Sequence, residues 1–305
     1  LSHEANRVLA GKQQTLIQRA AIIRELRAFF TAAGFLEVET PQRLPGNAPE
    51  FHIDAEPAGD WFLQTSPELC MKRLLAAGYP QLFQLCHCWR QGERGRQHLP
   101  EFTLLEWYRS EADYSALMDD CQALLRALVP ALRLNWKGIA IDLSGDWERL
   151  TVAEAFHRYA GCSAVEALKA DNFELLLVEQ VEPRLGLVKP TILYDYPVEL
   201  GALARRKQGA PELAERFELY IAGLELANGF SELTDPDEQR QRFSDDEQHR
   251  REAGKIPYPV PKRFLDELAL LKPAAGIALG VDRLVMLLTG AEDIAKVVAF
   301  TPEEL

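Results

Sequence analysis

The sequence predicts an α+β domain, a mostly antiparallel sheet flanked by helices. Three observations carry this expectation. Strand-like and helix-like stretches come in segregated runs and not in strict alternation. Two apolar strands, QLFQLCHCWR (81–90) and EFTLLEWYR (101–109), flank a polar loop in the manner of an antiparallel hairpin. The chain contains neither GxGxxG nor GxxxxGKS, the glycine-rich loops that open nucleotide sites on parallel α/β sheets.

The elements follow in order. The first dozen residues are polar and are expected to be loose. Between Thr15 and Ala33, Leu16, Ile17, Ala20, Ile23, Leu26, Phe29 and Phe30 recur at helical spacing, and Gly34 stops that helix. FLEVET (35–40) reads as a short strand closed by Pro41, and Pro45, Gly46 and Pro49 make an irregular connection. FHIDAEP (51–57) and DWFLQTS (60–66) read as paired short strands around Gly59-Asp60. Thr65 or Ser66 caps a helix beginning at Pro67, with Glu68 in its first turn. After the hairpin, Tyr114 to Leu128 is amphipathic. Residues 151–187 are rich in Leu, Ala and Glu and read as a helical insertion within a single domain of 1–305. Strands resume at PTILYDYP (190–197) and AERFELYIAGLELANGFSEL (214–233). The charged helix from Asp235 to Glu252 lacks a core-wide apolar stripe and is expected on the surface. AAGIALG (274–280) is a strand that runs straight into the helix VDRLVMLLTG.

Bulk properties restrict the function. With 305 residues, 47% hydrophobic and 26% charged, the chain has the make-up of a soluble globular protein. The formal charge is -12, from 34 basic and 46 acidic residues, which disfavours a generic nucleic-acid binder. No apolar stretch is long enough to span a membrane, so no membrane partner is expected. Five cysteines without a disulfide framework or a signal-peptide pattern point to the cytoplasm. Cys86 and Cys88 share one face of a strand and His87 takes the other, with no second ligand pair nearby; they read as buried apolar groups, not zinc ligands.

Four clusters carry candidate chemistry. TSPE (65–68) puts a carboxylate at a helix start, either facing a pocket or simply capping the helix. The hairpin loop holds Arg90, Glu93, Arg94, Arg96, His98 and Glu101. That density suits a clamp for phosphate or carboxylate, and equally a solvated surface loop. GLELANGFSELTDP (223–236) carries Glu225, Asn228, Glu232 and Asp235, an oxygen-rich set suited to Mg²⁺, or a polar turn capping the next helix. In GIALGVDRLVMLL (276–288), Arg283 stands in the first turn of a helix, where the dipole disfavours a cation. It answers a polyphosphate, or else pairs with Asp282 or another acid.

In this order the clusters resemble the class II aminoacyl-tRNA synthetases, most closely the lysyl branch. Motif one is the first helix with GFLEVETP (34–41), motif two the arginine hairpin and motif three GVDR (280–283). TSPE, HLPEFTLLEWY (98–108), ELANGFSELTDPDEQRQRF (225–243) and GIALGVDR (276–283) look like the lysine-enzyme motifs, and the likeness covers nearly the whole chain.

The resemblance implies ATP-dependent activation of a lysine-like amino acid, with ATP and Mg²⁺ as cofactors, in a homodimer. It assigns Arg90, Glu232 and Arg283 to catalysis. Arg90, Gln91, Gly92, Glu93, Leu99, Phe102, Glu225, Leu226, Gly280 and Arg283 would bind ATP, with Phe102 stacked on adenine. Ser66, Pro67, Glu68, Tyr108, Glu232 and Ala278 would bind the amino acid, and Glu225 with Glu232 the metal. Motif one begins near residue 15, leaving no room for the anticodon-binding domain of a lysyl-tRNA synthetase. That arrangement is similar to a stand-alone paralogue that joins (R)-β-lysine, or lysine, to a lysine side chain of translation elongation factor P. The alternatives are a truncated lysyl-tRNA synthetase charging tRNA, disfavoured by the acidic charge, and a non-catalytic regulator.

Two departures mark the chain. Lysyl synthetases resemble Gly-x-Gly here, where this chain has Ala278; an added methyl crowds an α-amino group and favours an amine one carbon further along, by roughly 1–3 kcal/mol. The motif-two patterns Arg-x-Glu and His-Asn-Pro read Arg90-Gln91-Gly92-Glu93 and His98-Leu99-Pro100, with Arg94 or Arg96 as the compensating cations.

Overall fold

The computed structural model describes residues 2–305, and side chains from residue 7 onward. Helices α1 (Ser2–Gly11) and α2 (Gln13–Ala32) lead into β1 (Leu36–Glu37). A small sheet follows, made of β2 (Arg43–Leu44), β3 (Pro57–Ala58) and β4 (Trp61–Leu63). Then come α3 (Glu68–Ala76), the hairpin β5 (Gln81–Trp89) and β6 (Glu101–Ser110), and α4 (Tyr114–Leu128). A second hairpin, β7 (Arg133–Trp136) and β8 (Ile139–Asp142), precedes β9 (Glu148–Thr151). The insertion holds α5 (Val152–Ala155), α6 (Ala164–Lys169) and α7 (Phe173–Leu176). β10 (Thr191–Pro197), β11 (Arg206–Lys207), β12 (Ala210–Ile221), β13 (Leu224–Ser231), α8 (Pro236–Glu252), α9 (Lys262–Glu267), β14 (Ala274–Gly280) and α10 (Val281–Thr289) complete the chain.

The main sheet has nine strands in the order β1-β5-β6-β14-β13-β12-β10-β9, with β11 paired to β12. It is mixed: the interior pairs are antiparallel, while β1–β5 and β9–β10 at the two edges are parallel. One face is apolar because alternate residues of each strand point the same way. There α2, α4 and α10 cover Phe83, Leu105, Trp107, Ile277 and Leu279. The ring of Phe30 stacks on Phe83 with centroids 5.1 Å apart and tilts against Trp107 at 5.0 Å. The other face carries the polar residues of the same strands, and α3 with α9 covers one end of it through Leu69, Met71, Leu75, Phe264 and Leu265.

The helix expectations transfer well where periodicity is long. α2, α4 and α10 lie where the apolar spacing puts them, and Asp235 caps α8 by accepting from the Asp237 and Glu238 amides. The differences have physical causes. The strand expected at 51–57 shrinks to Pro57–Ala58, because the carbonyls of Glu50 and Ile53 bond to Arg250 of α8 and not to a strand. That same contact draws α8 inward. Arg250 is fully buried and Phe243 and Gln239 nearly so, and α8 is therefore not purely a surface helix. The insertion is short helical pieces with π turns at Phe156–Ala160 and Leu177–Val181, packed on β10 around Phe156, Phe173 and Leu193. The β7–β8 hairpin, with Lys137 and Gly138 both at positive φ in its turn, had no strong sequence signal.

Candidate active site

Three adjacent strands build the floor of the site. On β6, Phe102, Leu104, Glu106 and Tyr108 alternate onto the face away from the main core. Register sets Glu106 opposite Gln84 and Ala278, and Tyr108 opposite Leu82 and Gly276. Asn228 of β13 lies on the far side of Ala278. α3 delivers Glu68 and Lys72 to one end of this floor, and α10 delivers Arg283 to the other.

The α3 end is closed and densely charged. Lys72, 2% exposed, places Nζ 2.7 Å from Glu232 Oε2 and 3.2 Å from Glu68 Oε2, over the Phe230 ring. Burial alone would lower the Lys72 pKa, but Glu232 and Glu68 more than offset it and raise it. Glu232 is 1% exposed; burial pushes its carboxyl up to about 7 against the pull of Lys72. Neither carboxylate oxygen of Glu232 has a well-directed hydrogen bond. Glu106 accepts from Ser66 Oγ at 2.6 Å and from Tyr108 Oη at 2.7 Å. Burial and then Glu68 raise it to about 8. Gly276 is required here: a Cβ at that position would lie 2.2 Å from the Tyr108 ring and 2.4 Å from Glu232 Oε1.

The α10 end is open. Arg283 Nη1 donates to the Glu225 carbonyl at 2.9 Å and to Glu225 Oε2 at 3.1 Å, and Nη2 contacts His98 Nε2. Burial and the Arg283 charge lower the His98 pKa, leaving a neutral imidazole that accepts from Arg283. Asp282 does not pair with its neighbour. It is buried, binds Arg19 at 2.5 Å and accepts from the Thr103 amide at 2.8 Å. Arg90 lies over the Phe102 ring at 5.1 Å, its nearest carboxylate is Glu93 at 3.8 Å, and its buried Nε has no partner. Beside Glu225, Tyr196 and Tyr220 donate to Glu218 at 2.6 Å, and Arg216 bonds Glu218 and Asn228. Burial, then Glu218 and Glu225, push Glu182 up to about 7.

The sequence-derived residues therefore fall into groups. Ser66, Glu68, Tyr108 and Glu232 converge at the α3 end, with Pro67 at the helix start and Ala278 on the floor beside Glu106. Arg90, Glu93, Phe102, Glu225, Gly280 and Arg283 converge at the α10 end. Gln91 and Gly92 lie in the exposed loop, where the Gln91 amide donates to the Asp54 carbonyl. The side chains of Leu99 and Leu226 are buried in the main core on the opposite face. Glu225 and Glu232 do not meet: they sit seven residues apart along and just past β13, a span of roughly 20 Å in an extended strand. Among the described residues no three His, Cys, Asp or Glu converge at metal-binding spacing. Arg94 is committed to Glu303 at 2.6 Å, and Cys86 and Cys88 are buried on the floor side.

Residues 7–304 match the family model described as tRNA synthetases class II (D, K and N). The chain belongs to this family. The class II synthetase domain is matched along almost its whole length by curated relatives. Elongation factor P--(R)-beta-lysine ligase from Salmonella gallinarum (strain 287/91 / NCTC 13346) is 42% identical over 306 residues, covering 94% of each chain. The proteins of the same name from Salmonella paratyphi B and Salmonella heidelberg match to the same extent.

Lys72, Glu106, Glu218 and Glu50 escaped the sequence reading of this synthetase site. Glu106 left a signal, as the one acid on the inward face of an apolar strand. Lys72 is four residues after Glu68 and so on the same helical face. Glu50, half-buried, lies among the charges of Glu68, Arg90 and Arg216, and nothing in its irregular segment announces that position.

Proposed function

We propose that the chain is an ATP-dependent ligase that activates (R)-β-lysine, or lysine, as an acyl-adenylate and transfers it to a lysine side chain of translation elongation factor P. The reading is supported by the relatives' printed name and by one observation above all. A dry acidic end built from Glu232, Glu68 and Tyr108 shares a continuous floor with two arginines, Arg90 and Arg283.

A substrate carboxylate oxygen attacks the α-phosphorus of ATP, pyrophosphate leaves, and an acyl-adenylate remains. Arg90, with an unsatisfied Nε, neutralises the α-phosphate and the carboxylate; Arg283, aimed by α10, holds the polyphosphate tail. The distal ammonium is received by Glu232, Glu68 and Tyr108 alongside Lys72, where burial makes charge pairing strong. The amine of the acceptor lysine then attacks the acyl carbon, AMP leaves and an amide forms. Glu225, with Glu218 as the next acid, is the oxygen set that would hold Mg²⁺; few carboxylates suffice when phosphates supply the remaining ligands. Bound there, Mg²⁺ would offset charge on the phosphate oxygens. Glu232, tied to Lys72, has no part in that site.

The segment that includes motif one exposes Ile17 and Leu36, which supports a homodimer joined there. No helix of the described chain is long and apolar enough to cross a membrane, and we assign the chain to the cytoplasm as the site of translation factors. The deciding experiment is ATP–pyrophosphate exchange with (R)-β-lysine and α-lysine, followed by intact-mass analysis of elongation factor P. A mass gain of one β-lysyl group supports the reading. Esterification of tRNA in place of the protein would overturn it in favour of a tRNA-charging enzyme, and no exchange with either isomer would leave a non-catalytic protein.

A further inference from the structure

Five strands place one residue each side by side across the floor. Gln84, Glu106, Ala278, Asn228 and Glu218 are register partners in that order, from β5 to β12. Asn228 and Glu218 are therefore direct neighbours. Asn228 belongs to the stretch of floor given to the amino acid, and Glu218 to the acid set given to the metal.

Arg216 lies two residues before Glu218 on β12 and on the same face. Its side chain is 18% exposed and sits over the Tyr196 ring, 4.5 Å from the centroid. From there it reaches three groups. Nη2 donates to Glu218 Oε1 at 2.6 Å, Nε donates to Asn228 Oδ1 at 3.1 Å, and Nη1 donates to the Leu200 carbonyl at 2.6 Å. The guanidinium is planar, so these three directions are fixed relative to one another. A guanidinium carries donors only. The amide oxygen of Asn228 must therefore face it, and Nδ2, a donor, is the end left for a ligand. Glu218 is held at both oxygens, Oε1 by Arg216 and Oε2 by the Tyr196 and Tyr220 hydroxyls at 2.6 Å each. A counterion for Glu218 alone would not require the Nε contact to a neutral amide on the next strand.

We infer that Arg216 is a positioning residue shared by the two substrates. With Nε it turns the Asn228 amide toward the amino acid; with Nη2 it sets the Glu218 carboxylate for the metal-bound nucleotide. This deepens the proposed function and rests on its placement of the amino acid on the floor and of Mg²⁺ at Glu225 and Glu218. Arg216 touches neither ligand. It acts through its two partners, and orienting contacts of this kind are typically worth about 10–100-fold in metal affinity.

The test is a pair of double-mutant cycles read by calorimetry on the full chain. The amino acid, (R)-β-lysine with α-lysine in parallel, is titrated without nucleotide, and ATP is titrated in Mg²⁺ without amino acid. Arg216→Met is expected to weaken each ligand about tenfold. Combined with Asn228→Ala, it should weaken the amino acid no further than Asn228→Ala does alone. Combined with Glu218→Gln, it should weaken Mg²⁺-ATP no further than Glu218→Gln does alone. Full additivity in either cycle overturns the inference, because Arg216 would then not act through that partner. Arg216→Lys keeps the charge but replaces the fork by a single nitrogen. It should recover Mg²⁺-ATP binding, through the stronger charged contact to Glu218, and leave the amino acid weakly bound. Recovery of both ligands would reduce Arg216 to a counterion and overturn the inference, as would normal binding of both by Arg216→Met. The lysine variant decides the matter if Arg216→Met does not fold. Wild-type protein that binds both ligands without pyrophosphate exchange sinks the ligase reading and leaves Arg216 to the cycles. Wild-type protein that binds neither takes both down.

Discussion

The two ends of the site solve opposite problems. At the α3 end, Lys72, Glu68, Glu232 and Glu106 are all buried, and each charge is held by a neighbour within 3.2 Å. At the α10 end, Arg90 has a spare donor, His98 is only partly covered, and the loop from 90 to 100 is largely solvated. A buried end can discriminate between ligands because an unmatched charge there is costly; an open end admits a polyphosphate and releases pyrophosphate. On the proposed reading, specificity and turnover are divided along one sheet.

The largest effect should come from unbalancing the closed end. Lys72→Met leaves two acids without their cation and should destabilise the fold by about 3–5 kcal/mol, read as a lower urea midpoint. A midpoint close to wild type would show that water already reaches this end. Next, Arg90→Ala should cut pyrophosphate exchange about 100-fold or more with the urea midpoint unchanged, the mark of an open-end residue. Loss of stability there would erase the contrast. Gly276→Ala puts a methyl into the Tyr108–Glu232 contact and should cost roughly 1–3 kcal/mol, with KM for the amino acid raised and KM for ATP unaffected.

The pH dependence separates the ends further. Glu106 and Glu232, ordinarily near 4.5, are raised to about 8 and about 7, so the folded chain binds their protons more tightly than the unfolded chain. Their stabilising contribution is complete below about pH 4.5 and is lost as pH rises through 7 and 8. Urea midpoints should fall between about pH 5 and pH 8, and Glu106→Gln should flatten the slope; an unchanged slope would remove Glu106 from the account. The smallest effect belongs to Arg94→Ala. Its exposed pair with Glu303 should matter little to stability, and a measurable drop in melting temperature would contradict that.

The elements that were legible in the sequence are those with a long period or a clear punctuation. α4 has six buried residues at helical spacing behind an Asp113 cap, and β14 runs into α10 with the boundaries the sequence suggests. The open end was legible too, because Arg90 opens a conspicuously charged loop and Arg283 follows a glycine at a strand-to-helix junction. The closed end was half legible. Glu68 and Glu232 belong to recognisable motifs, but Lys72 looks like an ordinary helix cation until α3 is placed face-down on the sheet. The irregular segment around Glu50 and Ile53 was not legible at all, since its shape comes from Arg250, two hundred residues away from Glu50, and not from any local pattern. The pairing of Glu225 with Glu232 as metal ligands failed to converge for a similar reason: adjacency in a motif is not adjacency on a strand.

Asp282 never faces the substrate floor, yet it ties the first turn of α10 to the Thr103 amide of β6 and to Arg19 of α2. The next residue is Arg283. An angular error at Asp282 therefore propagates along a lever: a small roll of the helix would sweep the guanidinium sideways by the length of its own side chain. A screen that ranks positions by distance from the ligands would pass over Asp282 and Arg19, and the two would surface only as variants that fold, bind amino acid and misplace the triphosphate.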